Sequence, residues 1–263
     1  MSYETILLDI DQNVATITLN RPDAMNGMTI RMTEELAHAF TRCRVDPNVR
    51  AVIVKGAGRG FCAGGDVKAF GESLRSDPLT PMRTLAMHLH AGVAEMRRME
   101  KPVIAQVHGV AAGAGMSLAL ACDLTIAAQT AQFIIAYGKV GLSPDGSASY
   151  FLPRLVGPKK ALEIFYTGEP IDADEALRLG LVNRLVPNAE LEKETRALAQ
   201  RLAQGPTLAL ARAKDLVYRS LSESLETQLE TERELLGLST LSEDFREGVQ
   251  AFIEKREPKF RGR

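Results

Sequence analysis

The chain has 263 residues, 45% of them hydrophobic and 25% charged, with 32 Lys plus Arg against 33 Asp plus Glu for a formal charge of −1. A chain of this size and balance buries a sizeable core without disulfides or structural metals, as one large domain or two small ones, and is not a disordered chain. Near-neutral charge, with no basic block interleaved with aromatics, excludes nucleic acid as an expected partner. Cys43, Cys62 and Cys122 form no CxxC pair and no His stands at metal-ligand spacing, so no disulfide framework and no metal are expected, and a reducing cytoplasm fits. No apolar run approaches ~20 residues and the N-terminus lacks a secretory pattern, so neither a membrane span nor export by that route is expected.

Residues 4 to 10 and 13 to 19 alternate apolar with polar positions around Asp11, Gln12 and Asn13, which predicts an opening β-hairpin. Arg21-Pro22-Asp23 breaks it. A helix of about four turns is expected over Thr29 to Arg44, with Ile30, Met32, Leu36, Ala39, Phe40 and Cys43 at helical spacing. The apolar strand 51–55 runs into a loop that holds Gly56, Gly58, Gly60, Gly64 and Gly65. Helical spacing returns from Pro81 to Met99, and a second buried strand, 103–107, empties into Gly109, Gly113 and Gly115. Short strands follow at 124–127 and 132–135, so β and α alternate as in an α/β body. After Val186-Pro187 the strand signals stop, and amphipathic helices are expected at 191–204, 208–222 and 224–238.

Neither GxxxxGK[ST] nor GxGxxG fits the two glycine loops; Leu118 stands where a third glycine would follow Gly113 and Gly115. Ser117 lies one glycine short of a GxSxG elbow, on a predicted helix, and reads as a small helix residue rather than a nucleophile. Another use suits both loops. Each can expose a peptide N–H, and the second opens the apolar helix 114–121, where unpaired donors and the positive dipole end favour an anion. Two N–H groups converging on one oxygen make an oxyanion hole, and two tight turns without a ligand are the alternative.

The segments FCAGGD (61–66), KPVIAQVHGVAAGAG (101–115), CD (122–123), AQF (131–133), GLSPD (141–145), LPRLVG (152–157) and GLV (180–182) follow in the order and spacing of the enoyl-CoA hydratase/isomerase (crotonase) family, which the chain resembles from about residue 4 to Gly262. The resemblance implies an α/β fold: a crotonase-like ββα spiral core over 1–195 for CoA thioester binding and catalysis, and a helical C-terminal region over 196–263 for oligomerisation as a homotrimer or hexamer. It implies an acyl-CoA substrate, with coenzyme A entering as part of the thioester and no cofactor besides. By position, the oxyanion donors would be the N–H groups of Gly65 and Ala114; Ala114 replaces a common glycine, which matters little because the donor is backbone. The resemblance places Asn26, Met28, Ala63, Asp66 and Val67 along the CoA path, and Lys259 and Phe260 near a neighbouring subunit's ligand. Gly64, Gly113, His90, Ser117 and Tyr137 complete the residues expected against substrate.

Hydratases of this family carry two glutamates where this chain has Ser117 and Tyr137, and neither a hydroxyl nor a phenol of pKa near ~10 does carboxylate work at neutral pH. Efficient hydration is therefore not expected. Asp145 is the carboxylate left in this stretch; Pro144-Asp145-Gly146 also suits a turn, or a cap for a helix beginning near Ser147. Within the family its position matches the acidic residue of the enoyl-CoA isomerases, and residues 110–115, 141–145 and 151–155 most resemble the 1,2-epoxyphenylacetyl-CoA isomerase branch. The expectation is an isomerase that shifts a double bond from position 3 to 2, or isomerises a ring-type acyl-CoA, with Asp145 as acid/base.

Three alternatives stand beside it: a hydratase-like lyase, a dehalogenase of the 4-chlorobenzoyl-CoA type, and a non-catalytic CoA-thioester-binding homologue. The dehalogenases pair a His before the Lys-Pro-Val strand with an aspartate nucleophile and an aromatic, as His90, Asp145 and Tyr137 do here. Against that reading, Ser143-Pro144 is isomerase-like and the dehalogenase tryptophan is Tyr137. The methionines of 81–99 are expected in the core rather than in an acyl pocket.

Overall fold

The hairpin of the computed structural model, which describes residues 3–73 and 76–263, pairs β1 (Ile6–Asp11) with β2 (Val14–Leu19), Ile6 opposite Leu19. Gln12 and Asn13 turn it with φ of +49° and +64°, the two-residue left-handed turn whose twist matches the strands. Helix α1 (Ile30–Val45) starts where Thr29 Oγ1 accepts from Met32 N at 3.2 Å, and it buries the predicted face of Met32, Leu36, Ala39, Phe40 and Cys43.

Strand β3 (Ala51–Gly56) lies parallel to β2 and leads through the first glycine loop to α2 (Val67–Ser73) and α3 (Leu79–Arg98). Then come β4 (Val103–Val107), β5 (Val110–Ala112), α4 (Ala114–Ala121), β6 (Leu124–Ala128) and β7 (Gln132–Ile134). Next are α5 (Ala148–Val156), α6 (Pro158–Thr167), β8 (Ile171–Asp172), α7 (Ala173–Arg178) and β9 (Arg184–Val186). Four helices end the chain: α8 (Leu191–Ala203), α9 (Thr207–Arg219), α10 (Leu225–Ser239) and α11 (Glu243–Glu254). Among the helices, α2, α6, α7 and α11 were not expected, nor were the short strands β5 and β8; Gly71, Gly248 and short lengths weaken the signal.

The large sheet runs β1-β2-β3-β4-β6-β9, parallel beyond the hairpin, and a small sheet, β5-β7-β8, stands beside it. Alternation along β3 explains its apolar sequence: Val52 and Val54 join the core with α1 and α3, whereas Ala51 and Ile53 face α8 through Leu191, Leu198 and Ala199. Residue 195, the expected end of the core, therefore lies in the middle of the helix that seals the sheet's second face, and that cover runs on to Ala203. No helix among the described residues is long and apolar enough to cross a membrane.

One polar cluster ties the helical tail to the sheet. Asp123 accepts from Val103 N (2.8 Å), from Lys214 Nζ (2.7 Å) and from Tyr218 OH (3.0 Å), while Lys214 also donates to Met96 O and Lys101 O. Burial favours the neutral form of each group, so the pair stays charged only together. Removing one partner of such a pair strands the other, at a typical cost of about 3–5 kcal/mol. Lys214→Met should accordingly lower the urea midpoint markedly, and adding Asp123→Asn should recover part of the loss; a midpoint unchanged in the single variant would remove this pair from the fold's support.

Candidate active site

Two isolated parallel bridges hold the first glycine loop: Cys62 with Ala111 draws it against the second, and Met28 with Gly65 ties its other side to the segment before α1. Met28 N donates to Gly64 O (2.7 Å) and Asp66 N to Met28 O (2.9 Å), while Cys62 N bonds Val110 O (3.0 Å) and Ala112 N bonds Cys62 O (2.8 Å). In this strand-like pairing successive peptides face opposite sides, so Gly65 N–H points away from Met28 and finds no acceptor among the described residues. Ala114 is the first residue of α4, and its N–H is one of those a helix leaves unpaired. A Cβ on Gly64, whose φ is +99°, would stand 2.9 Å from Ala112 O and 3.5 Å from Ala114 N. The loops thus meet as bare backbone, which a side chain would pry apart.

Both loops border a cavity of about 320 Å³. Its walls include Val67, Phe70, Met82, Leu85, Ala86 and Leu142, and Ala63, Gly64, Gly65, Gly113 and Ala114 close one side. Asp145 is the one carboxylate among the described lining residues; Tyr137 lines the cavity too, and Arg83 and Lys139 supply cations.

Tyr137 OH donates to Asp145 Oδ1 at 2.5 Å, and Ser117 Oγ stands 2.8 Å from the same phenol oxygen. Burial, and then the neighbouring Asp145 charge, push the Tyr137 phenol far above its usual pKa. Ser117 is wholly buried and does not line the cavity. After Asp145 the chain turns through Gly146, whose N–H donates to His90 Nε2 at 3.2 Å. His90, on α3, is exposed and outside the cavity lining, so it holds the loop from behind rather than facing a ligand.

Other expected contacts also resolve into scaffold. Asn26 is wholly buried: Nδ2 donates to Ala57 O (2.8 Å), Gly60 O (2.9 Å) and Phe61 O (3.1 Å), and Oδ1 accepts from Arg21 N. It clamps the first loop from beneath instead of lying on a ligand path. Met28 is buried in the core as well. Asp66 pairs with Arg21 at 2.9 Å and caps α2; against burial, which would raise it, the guanidinium holds its carboxyl below the usual range. Lys259 N bonds Glu247 Oε1 (2.7 Å) and the Phe260 ring packs by Gly248, so both lie against α11, away from this chain's cavity.

Sequence reasoning missed the outer wall. Met82, Leu85 and Ala86 stand at i, i+3 and i+4 on α3, a spacing that puts them on one face, but whether that face meets core or cavity depends on tertiary placement. The methionines divide accordingly, with Met96 and Met99 in the core and Met82 at the cavity.

Residues 9–263 match the family model described as enoyl-CoA hydratase/isomerase. The chain is 42% identical to a Rhodobacter capsulatus protein named "Probable enoyl-CoA hydratase", over 100% of both chains. It is 37% identical to 1,2-epoxyphenylacetyl-CoA isomerase of Escherichia coli, over 99% of both. A crystal structure from Streptomyces coelicolor A3(2), carrying an enoyl-CoA hydratase name, superposes with a TM-score of 0.95 at 37% identity, covering 100% of this chain and 96% of that one. These neighbours share the crotonase fold, and their names span both reactions.

The Asn26 clamp can be weighed directly. Asn26→Ala leaves three loop carbonyls without their donor in a dry site, and an unsatisfied buried group typically costs about 1–3 kcal/mol. Chemical denaturation should show at least that loss, together with weakened CoA-ester binding. Unchanged stability would mean that the loop holds itself.

Proposed function

The chain belongs to the enoyl-CoA hydratase/isomerase family, and we propose that it acts within it as an acyl-CoA isomerase, shifting a double bond from position 3 to position 2 or isomerising a ring-type acyl-CoA. One observation carries this reading: Asp145 is the sole carboxylate among the described residues of a cavity that both loop donors border.

A thioester carbonyl seated between Gly65 N–H and Ala114 N–H acidifies the adjacent carbons, because the enolate oxygen gains two fixed donors, one of them at the N-terminus of α4. Asp145 removes a proton from one carbon, the electrons spread across the conjugated enolate, and the same carboxyl returns the proton two carbons away. No atoms are gained or lost, and nothing but the thioester substrate is needed, with CoA carried as part of it. Hydration asks for more: a base for the water and an acid for the carbon. Ser117 and Tyr137 supply neither, since one is sealed off and the other is kept protonated.

The proposal extends to assembly in the cytoplasm as a homotrimer, alone or paired into a hexamer. Leu236, Leu241, Phe252 and Ile253 on and beside α10 and α11 are large apolar side chains left mostly exposed in the single chain, Phe252 at 85%. Burying them between copies would bring Lys259 and Phe260 toward a neighbour's ligand. Phe252→Glu should reduce the mass seen by light scattering toward the monomer; a wild-type monomer would end this part of the reading.

Ultraviolet absorbance separates the chemistries, since the double bond absorbs strongly only when conjugated with the thioester. Absorbance should rise with 3-enoyl-CoA and hold steady with 2-enoyl-CoA; a fall in the second cuvette would mean water addition and overturn the isomerase assignment. Asp145→Asn should cost about 10²–10⁴ in turnover while CoA-ester binding persists. Ala114→Pro, which deletes a donor at a helix position that tolerates proline, should cost about 10²–10³. Full turnover in Asp145→Asn would take the carboxylate out of the mechanism.

A further inference from the structure

We infer that Tyr137 is the positioning residue of Asp145: its O–H, seated by Ser117, holds one carboxylate oxygen and leaves the other to carry the proton. The inference rests on the isomerase reading above and adds to it the group that sets the aim of the carboxylate.

Proton counting fixes the direction of the chain. Tyr137 has a single O–H and two acceptors, Asp145 Oδ1 at 2.5 Å and the Asp145 main-chain oxygen at 3.3 Å. The short bond to a charged oxygen is the stronger. With that proton committed, the phenol oxygen can only accept from Ser117, so Ser117 Oγ–H donates at 2.8 Å in preference to Gly113 O at 3.2 Å. The series runs Ser117 to Tyr137 to Asp145, and each donation sharpens the next in a dry setting.

Both ends of the series are anchored. Ser117 sits on the first turns of α4, its own N–H bonded to Gly113 O at 3.0 Å, so the residue that starts the series shares a helix terminus with the Ala114 donor. At the other end Gly146 packs on Ser117 so closely that a Cβ there would stand 2.9 Å from the Ser117 Cβ, and its N–H is held by His90. Base and oxyanion donor are therefore spaced by hydrogen bonds through one buried helix end.

Among the described residues, the ionisable groups facing Asp145 are few. Tyr137 comes from the turn Tyr137–Val140, which also brings Lys139 to the cavity; α3 brings Arg83 to the cavity and His90 to the adjacent peptide. Of these, Tyr137 is the group hydrogen-bonded to the carboxylate. Its burial keeps the O–H protonated across the working pH range, so it donates both before and after Asp145 takes a proton.

Tyr137→Phe keeps the ring in the core and deletes the donor alone. A carboxylate that loses a donor to its charged form holds its proton more tightly, so the acid limb of kcat/KM should move up by about one to two pH units. Turnover at the pH plateau should fall about tenfold or more as the carboxylate loses its fixed aim. Ser117→Ala should move the limb the same way by less. A residue that merely packs would lower stability and leave the limb in place.

Infrared titration of the carboxyl band, assigned by its absence in Asp145→Asn, reads the same shift without turnover. A band that moves in Tyr137→Phe, in a wild type lacking isomerase turnover, would uphold the positioning role and sink the isomerase reading. A band and an acid limb that both stay in place would overturn the positioning role even if the isomerase reading stands.

Discussion

The meeting of two loops as bare backbone, Gly64 against Ala112 and Ala114, is the constraint on which the rest of the site depends. Two peptide N–H groups can serve one oxygen only if no side chain keeps their strands apart, and this requirement propagates outward. It explains why Asn26 spends its Nδ2 donor group on the carbonyls of the first loop. It explains too why that loop is bridged on one side to Met28 and on the other to Ala111. Behind it stand two parallel strands covered on both faces, β3 and β4, which deliver the loops at neighbouring positions. The sheet supplies the spacing and the glycines the approach.

The departures from the family pattern acquire a physical sense in this frame. Ser117 and Tyr137 are two substitutions that the structure joins to Asp145 in one series, not two separate losses. Where the resemblance expects two carboxylates, Ser117 gives its proton to Tyr137 and Tyr137 gives its own to Asp145, the one carboxylate among the described lining residues. The apolar wall of Val67, Phe70, Leu85 and Leu142 acts in the same sense, because a dry site strengthens both the oxyanion bonds and the donation from Tyr137.

Much of this was legible from the amino acids, and the limit falls in a consistent place. The hairpin, α1, β3, β4 and α4 announce themselves through period and punctuation within a dozen residues. Asn26 was read as a ligand contact because nothing local reveals partners 31 to 35 residues away. His90 was read toward the substrate for a related reason, since its partner is a peptide N–H 56 residues on, and backbone donors leave no mark in a sequence. Val67 at the start of α2 was expected, but the outer wall on α3 was missed because an amphipathic face looks the same whether it meets core or cavity. Residues 195 and 196 carry no boundary signal that distinguishes the helix sealing the sheet from those beyond it.

The polarity of the hydrogen-bond series also bears on why the proposed isomerisation needs a single carboxylate. A general base that must return its proton has to be neither too strong nor too weak, and it must present the same oxygen on both strokes. Donation from Tyr137 serves the second need, because it occupies one of the two carboxylate oxygens. In the proposed reaction the other oxygen is the one left to carry the proton. A second acid in the site would compete for the enolate of the proposed reaction; Tyr137, its pKa raised by burial and its proton given to Asp145, is a poor competitor.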